Sequence, residues 1–445
     1  MKIFIMGAGE VGVHIASSLV REGRHDLVII ERDAAKVTRL QATMDILAVN
    51  GDGCDPALLT ARGVAGADLF FAVSNQDAAN LLAALTARSL GANRCVVRIG
   101  QPHLGTNPLL QQDGNILPLY PERLVAEEIH ALTRVPGATK ARFFANGKLV
   151  LLQARPADHA DIYDRPLKEL RGPGGWVLTG IHRASGLLVP RGDAVLRRGD
   201  LLYAVGRTDD IPGYLASIGV ESRPTKSVVI AGAGQVGRWL ARLLVADGVN
   251  VRVIQRGAGK AFDLAAELPE VLVLRGDARS PEILREAGVE KADYFVAATQ
   301  QDEVNLLSSL LAREIGAGVV VALYNQPEFL NLLHAVRIDM PLSPRLMVAG
   351  TILRMVHRRE IVSLDLVEGG EAEVVEFEVP ERAKVLKGSL EDLSFPRDSI
   401  VGAVVRGSEL FVPTGAFRFE IGDRALLFTR IEALPALEKM FRGRS

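Results

Sequence analysis

The sequence predicts an α/β chain built from two parallel-sheet domains, each followed by a smaller α+β domain. Three observations predict it. Short apolar runs alternate with helix-length stretches, the pattern of β-α-β units around a parallel sheet. A glycine motif opens the chain between an apolar run and a helix. The whole plan then returns about halfway along the chain.

Lys2 to Met6 is a short apolar run that fits a buried strand. Gly7, Gly9 and Gly12 follow as G-x-G-x-x-G, with Ala8, Glu10 and Val11 between them, and Val13 to Val20 reads as a helix. Strand, glycine turn and helix start together form a dinucleotide-binding fingerprint and a Rossmann-like fold. The first glycine permits the tight turn, the second admits a pyrophosphate, and the third lets the helix pack on the strand. Phosphates then meet free N–H groups at a helix N-terminus. Glu31 ends the next apolar run, Leu27 to Ile30, where an acid that bonds a ribose hydroxyl is expected.

The following elements keep the alternation. Ala34 to Ala42 fits a helix, and Ile46 to Val49 a strand ended by Asn50-Gly51-Asp52-Gly53. Pro56 to Arg62 reads as a helix with proline in its first turn. Ala67 to Val73 is a buried strand, Asp77 to Leu90 a helix closed by Gly91, and Arg94 to Ile99 a further strand. Ile116 to Pro121 reads as a last short strand, and Glu122 to Thr133 as a helix leaving the domain before Pro136 and Gly137.

From Lys140 to about Gly219 the texture changes to short β-like runs punctuated by Gly and Pro. Lys148 to Leu152, Trp176 to Ile181, Leu187 to Pro190 and Leu201 to Val205 suggest a largely antiparallel sheet, with a helical piece at Pro166 to Leu170. Then the plan repeats. Gly7 and Gly232 lie 225 positions apart, and the same offset relates Gly51-Asp52 to Gly276-Asp277, Asp68 to Asp293, Asp77 to Asp302 and Asn80-Leu81-Leu82 to Asn305-Leu306-Leu307. The small module repeats too: Val189-Pro190 and Gly199-Asp200 correspond to Val412-Pro413 and Gly422-Asp423. A helix through Leu353 to Arg359 joins the last two parts. The predicted domains are 1–135, 136–222, 223–350 and 351–445.

The second glycine turn comprises Gly232, Gly234, Gln235, Val236 and Gly237, after the apolar run Ser227 to Ala231. Its second strand ends in Gln255-Arg256, so Glu31 has a neutral amide as counterpart. An amide can bond a ribose but lacks the strong acceptance of a carboxylate. The second pocket therefore discriminates less in favour of NAD. It holds a phosphate-rich nucleotide such as ATP, or it is an empty structural copy.

Composition excludes several classes. Lys plus Arg total 52 and Asp plus Glu 53, a formal net charge of -1, which argues against a nucleic-acid partner. It also weakens direct attachment to anionic lipid. No run of about 18 uncharged apolar residues appears, so no membrane-spanning helix is expected. The chain enters a strand at once, leaving no room for a signal peptide. Cys54 and Cys95 are the only cysteines, which suggests a reducing setting and no thiol zinc site. No metal-ligand set and no catalytic set is predicted. His357, beside Arg358 and Arg359, reads as part of a solvated helix face.

Two nucleotide folds, each followed by a small β-rich module, resemble the TrkA family of bacterial potassium-uptake regulators, built from KTN (or RCK) and TrkA-C-like domains. The resemblance covers essentially the whole chain. It is carried by Gly7 to Gly12 with Glu31, Gly51-Asp52, Asp68 and the Asn80 helix, by Gly232 to Gly237, Gly276-Asp277, Asp293 and Asn305, and by the Val-Pro…Gly-Asp pattern of both modules. It implies a cytoplasmic regulatory subunit, peripheral on the inner face of the membrane through a potassium-translocating partner of the TrkH or KtrB type. It also implies a ring of KTN domains, as a homotetramer. Gly7, Gly9, Gly12, Glu31, Asp52 and Arg98 match ligand positions for NAD(H) in the first copy. Gly232, Gly234, Gly237, Gln255 and Asp277 match those of the second, for ATP, ADP or NAD(H). After Arg98 the chain reads Ile99-Gly100-Gln101-Pro102, whereas the second copy has Asn325-Gln326-Pro327-Glu328-Phe329.

Two other readings stay open on the residues alone. An NAD-dependent oxidoreductase needs a substrate pocket and a proton relay at the nicotinamide. Ser74-Asn75 and Thr299-Gln300, at the cleft mouth, could orient a ligand but form no such relay. The third reading is a nucleotide-sensing regulator of a different ion transporter. Within the small modules, the turns Gly172 to Gly175 and Arg191 to Asp193 read as ordinary turns or an anion nest. The acidic run Glu368, Glu371, Glu373, Glu376 and Glu378 reads as a strand with a solvated acidic face.

Overall fold

The computed structural model describes residues 1–22, 25–105, 107–170, 175–183, 185–356, 361–366 and 372–442. Its first part runs β1 (Lys2–Met6), α1 (Glu10–Glu22), β2 (Asp26–Glu31), α2 (Ala34–Thr43), β3 (Leu47–Asn50), α3 (Pro56–Ala61), β4 (Leu69–Ala72), α4 (Asp77–Ser89), β5 (Arg94–Arg98), α5 (Pro102–Gly105), α6 (Pro108–Gln112), β6 (Ile116–Leu119) and α7 (Pro121–Thr133). The strands form one parallel sheet in the order β3-β2-β1-β4-β5-β6. The order reverses beside β1, so a crevice opens beyond the carboxyl ends of β1 and β4, where ligands of such sheets bind.

A five-stranded module follows: β7 (Lys140–Phe144), β8 (Leu149–Ala154), β9 (Trp176–Arg183), β10 (Gly186–Leu188), β11 (Leu201–Arg207) and α8 (Ile211–Ser217). Its pairings are antiparallel, in the order β10-β9-β11-β8-β7. The helical piece expected at Pro166 is a single 3-10 turn, Leu167–Glu169.

The second parallel fold runs β12 (Ser227–Ala231), α9 (Gln235–Ala246), β13 (Asn250–Gln255), α10 (Ala258–Glu267), β14 (Leu272–Arg275), α11 (Pro281–Glu286), β15 (Tyr294–Ala297), α12 (Asp302–Ile315), β16 (Val319–Leu323), α13 (Pro327–Ala335), β17 (Met340–Leu342) and α14 (Pro344–Val356). Its order, β14-β13-β12-β15-β16-β17, reproduces the first. A second module closes the chain with β18 (Ile361–Leu366), β19 (Ala372–Glu378), β20 (Ser399–Arg406), β21 (Glu409–Phe411), β22 (Arg424–Arg430) and α15 (Leu434–Phe441), in the order β18-β19-β22-β20-β21. Strand for strand it has the topology of the first module.

The chain gathers like with like. Met1–Glu127 and Ser227–Val356 make one compact unit of two parallel folds, and the two modules make another. In the first unit, alternate residues of β1 serve opposite faces. Ile3 and Ile5 pack with Ile15 and Leu19 of α1, while Phe4 packs with Phe70 and with Ala83, Ala84 and Ala87 of α4. That is the period-two rule of a sheet covered on both sides. Helix α14 of the second half lays Val348, Ala349, Ile352 and Val356 into the cluster around α1, so a helix from one half completes the core of the other.

The repeated polar residues hold the frame. Asp68 accepts from the N–H of Lys2 at 2.8 Å and Asp293 from that of Ser227 at 2.9 Å, each fixing the start of its central strand. In the modules, Asp200 is buried against Arg183 at 2.8 Å and Asp423 against Arg406 at 2.8 Å. Each also accepts a backbone N–H, from Arg197 and Glu420 respectively, so the buried charge is paired and bonded.

The acidic run departs from expectation. Glu373 and Glu376 are buried, and only Glu378 is exposed; Glu368 and Glu371 lie outside the described residues. β19 sits between β18 and β22. One of its faces, with Ala372 and Val374, packs with Tyr203, Val205 and Phe144 of the first module. The other carries Val375 and Phe377 into its own module's core. Glu376 answers its burial with Arg424 at 3.3 Å. Alternation of acids with apolar residues marks a solvated face only where one face is free, and here neither is. His357 and most of the Gly172 to Gly175 turn also lie outside the described residues.

Candidate nucleotide site

The glycine turns are built as their spacing requires. Gly7 and Gly232 have φ of 104° and 113°, the left-handed region that favours glycine. A Cβ on Gly12 or Gly237 would drive into the carbonyl oxygen of Gly7 or Gly232. A Cβ on Gly9 or Gly234 would meet open space, because that face looks into the cleft. Helix α1 starts at Glu10, three residues earlier than the apolar pattern suggests, so its first-turn N–H groups line the crevice. The cradle, with its open glycine face and helix N-terminus, fits a pyrophosphate.

Glu31 stands at the end of β2. Its carboxylate accepts from the N–H of Ala8 at 2.7 Å and of Asp33 at 3.0 Å, closing the turn. Gln255 closes the second turn in the same way, its amide oxygen accepting from the N–H of Ala233 at 2.9 Å. Loss of the acid in the second copy thus preserves the turn and changes only the charge beside it.

Asp52 accepts from the N–H of Cys54 at 2.9 Å and pairs with Arg32 at 2.7 Å. These two donors, the backbone one first, hold its carboxyl below the usual range. Asp277 is bound within its own turn by Arg279, at 2.6 Å, which holds its carboxyl down at about 2. Arg98, at the end of β5, donates to the carbonyl of Ser74 at 3.0 Å. The aligned position in the second half is Leu323. Asn80 is fully buried and explains its own recurrence. It accepts from the N–H and hydroxyl of Ser74 and donates to the carbonyls of Ser74 and Arg98, while Asn305 ties Thr299 and Leu323 in the same way.

A cavity of about 1050 Å³ joins these parts within the unit. Its wall takes Gly7 to Val11, Glu31, Arg32, Asp52, Ser74, Asn75 and Arg98 from the first half. From the second it takes Gly234, Gln235, Val236, Thr299, Gln300, Asn325 and Arg345. Gly12 and Gly237 lie behind their turns, and Gln255 and Asp277 stand off this wall. The volume is at the upper end of ordinary small-ligand pockets.

Two wall residues fall outside the motifs. Arg345, second residue of α14, reaches from the second half to pair with Glu10 and also donates to the carbonyl of Asn325 at 3.2 Å. Glu122, second residue of α7, is the first half's counterpart, and burial pushes its carboxyl up. The available signal is positional: Pro121-Glu122 and Pro344-Arg345 each open the helix after the sixth strand. Among the described residues, no group of three or more His, Cys, Asp or Glu could hold a metal ion. No helix among them is long and apolar enough to cross a membrane.

Comparison with known proteins agrees with this architecture. Residues 3–113 and 228–344 match the TrkA-N domain family, and residues 374–442 match the TrkA-C domain family. The Trk system potassium uptake protein TrkA homolog of Archaeoglobus fulgidus is 33% identical over 99% of this chain and 100% of its own. The Trk system potassium uptake protein TrkA of Halomonas elongata is 30% identical over 96% of this chain and 95% of its own. Among solved structures, the GsuK channel bound to NAD superposes with a TM-score of 0.62 at 19% identity, over 99% of this chain and 78% of that one, a likeness of fold. The first module has the topology of the second, although the TrkA-C match falls on the second. With two TrkA-N domains, a TrkA-C domain and relatives aligned end to end, the chain belongs to the TrkA family of Trk system potassium uptake proteins.

Proposed function

We propose that this chain is a nucleotide-responsive regulatory subunit of a potassium uptake system. NAD(H) is the ligand of the first cleft, held by Gly7, Gly9, the start of α1, Glu31, Asp52 and Arg98. The second cleft is the weaker site, for ATP, ADP or NAD(H). The subunit works in the cytoplasm, on the inner face of the membrane, against a potassium-translocating partner of the TrkH or KtrB type.

One observation carries this reading: the cavity that holds the first glycine turn is walled by the second half as well. A ligand there touches two bodies at once. It can shift their equilibrium if it binds one arrangement better than the other. Family membership and the NAD bound by the GsuK channel support the choice of ligand and partner. A homotetrameric ring is the proposed assembly. Leu82 on α4 and Leu307 on α12, at matching positions of the two halves, are 54% and 46% exposed and supply apolar contact for it.

The test is potassium flux through the partner reconstituted in vesicles, with the full chain present, with and without NADH or ATP. A severalfold change is expected, the effect of a coupling of about 1–3 kcal/mol. Tight binding of both nucleotides with unchanged flux would sink the regulatory reading for them.

A further inference from the structure

Equivalent positions of the two halves carry opposite charges. Helix α14 opens Pro344-Arg345 and helix α7 opens Pro121-Glu122 at equivalent places, and both second residues line the shared cavity. The first turn is thus faced by a guanidinium from the other half. The same position of the first half carries an acid.

Glu10 is the present partner of that guanidinium. It lies in the first turn of α1, beside the open face of Gly9, where phosphate oxygens would meet free N–H groups. A carboxylate there is favoured by the helix dipole, as a phosphate would be. The side chains of Arg345 and Glu10 are 39% and 59% exposed, so their pairing is worth little and yields readily to a better anion. The carbonyl of Asn325 holds the same Nη1 from its own half at 3.2 Å, so the guanidinium stays aimed at the cavity when Glu10 lets go.

We propose that Arg345 is a phosphate ligand of the first cleft, supplied by the second half, and that Glu10 is the stand-in anion it exchanges for a nucleotide's phosphates. This deepens the nucleotide reading given above and rests on it. Nucleotide arrival then replaces a contact between the halves by one made through the ligand. A planar fork that matches phosphate oxygens bidentately suits this role better than an ammonium.

The experiment is calorimetric titration of the full-length protein with NADH, for wild type, Arg345→Gln, Arg345→Lys and Glu10→Gln, each checked for folding by thermal melting. Arg345→Gln is expected to bind about tenfold more weakly, as loss of a charge-assisted bond requires, with Arg345→Lys between it and wild type. Glu10→Gln is expected to bind severalfold more tightly, because the competing anion and its repulsion are gone. Opposite signs from the two partners of one ion pair are the mark of exchange. Equal weakening by both makes the pair a structural brace and overturns the proposal. So does an Arg345→Gln affinity within twofold of wild type, which leaves the nucleotide reading standing. Failure of wild type to bind NADH removes both the NAD(H) assignment of the first cleft and this proposal.

Discussion

Asn80 and Asn305 tie the same loop to the same strand in the two parallel halves, yet Arg98 beside the first knot is Leu323 beside the second. The same contrast recurs at Glu31 and Gln255, at Glu10 and Gln235, and at Glu122 and Arg345. Residues that hold the fold are identical or interchangeable. At these four positions beside the cavity the charge differs, whereas Asp52 and Asp277 keep theirs. A duplicated fold has kept its frame while the charge beside its cavity has diverged, so the two kinds of position can be tested separately.

The largest effect should be the same in both halves. Gly12→Ala and Gly237→Ala each push a methyl against the carbonyl of the turn's first glycine, so α1 or α9 must move off its strand. Overpacking against backbone costs about 2 kcal/mol or more. Matching drops in melting temperature are expected by calorimetry, while NADH affinity should suffer much more in Gly12→Ala. Equal loss of NADH affinity in Gly237→Ala would break the comparison, because the second turn would then be an equal ligand site.

Much of this is legible in the sequence, and the reasons are local. Gly7 and Gly12 are legible because each answers a short-range steric demand, whereas Gly9 borders open space. Helix ends agree within a few residues, since Pro56, Asp77 and Gly91 act on their own neighbours. Strand β7 and helix α8 escape the pattern, because Lys140–Phe144 and Ile211–Ser217 are short and weakly periodic. Glu373 and Glu376 mislead because their burial depends on a strand pairing and a facing module that no local pattern announces. Arg345 is invisible for a related reason: it serves a turn 335 positions away in the chain, and only the packing of α14 on α1 brings it there.

Converting the first cleft's acid into the second's amide sharpens the comparison at the next level. Because Gln255 closes its turn through the same backbone N–H, Glu31→Gln should fold and melt like wild type. NADH affinity should fall about tenfold, near 1.4 kcal/mol, as a carboxylate's acceptance from a ribose hydroxyl is lost. Unchanged affinity in titration would confine Glu31 to closing the turn and remove the main reason for ranking the first cleft above the second.

The smallest effect concerns Glu122, the acid that stands where the second half has Arg345. Burial raises its carboxyl above the ordinary 4.5, aided by nearby Asp77 and opposed by its own backbone N–H and by Arg98. The folded state therefore holds this proton more tightly than the unfolded chain. Its contribution to stability is complete below pH 4.5 and declines as pH rises through the folded value. Glu122→Gln keeps the shape and removes the charge. The variant should match wild type in acid and melt slightly higher near neutral pH, the gap opening as the wild-type carboxyl ionises. A variant that melts lower at neutral pH would mean the ionised form is held by a partner such as Arg98. Glu122 would then be a brace of the first half and no longer the electrostatic counterpart of Arg345.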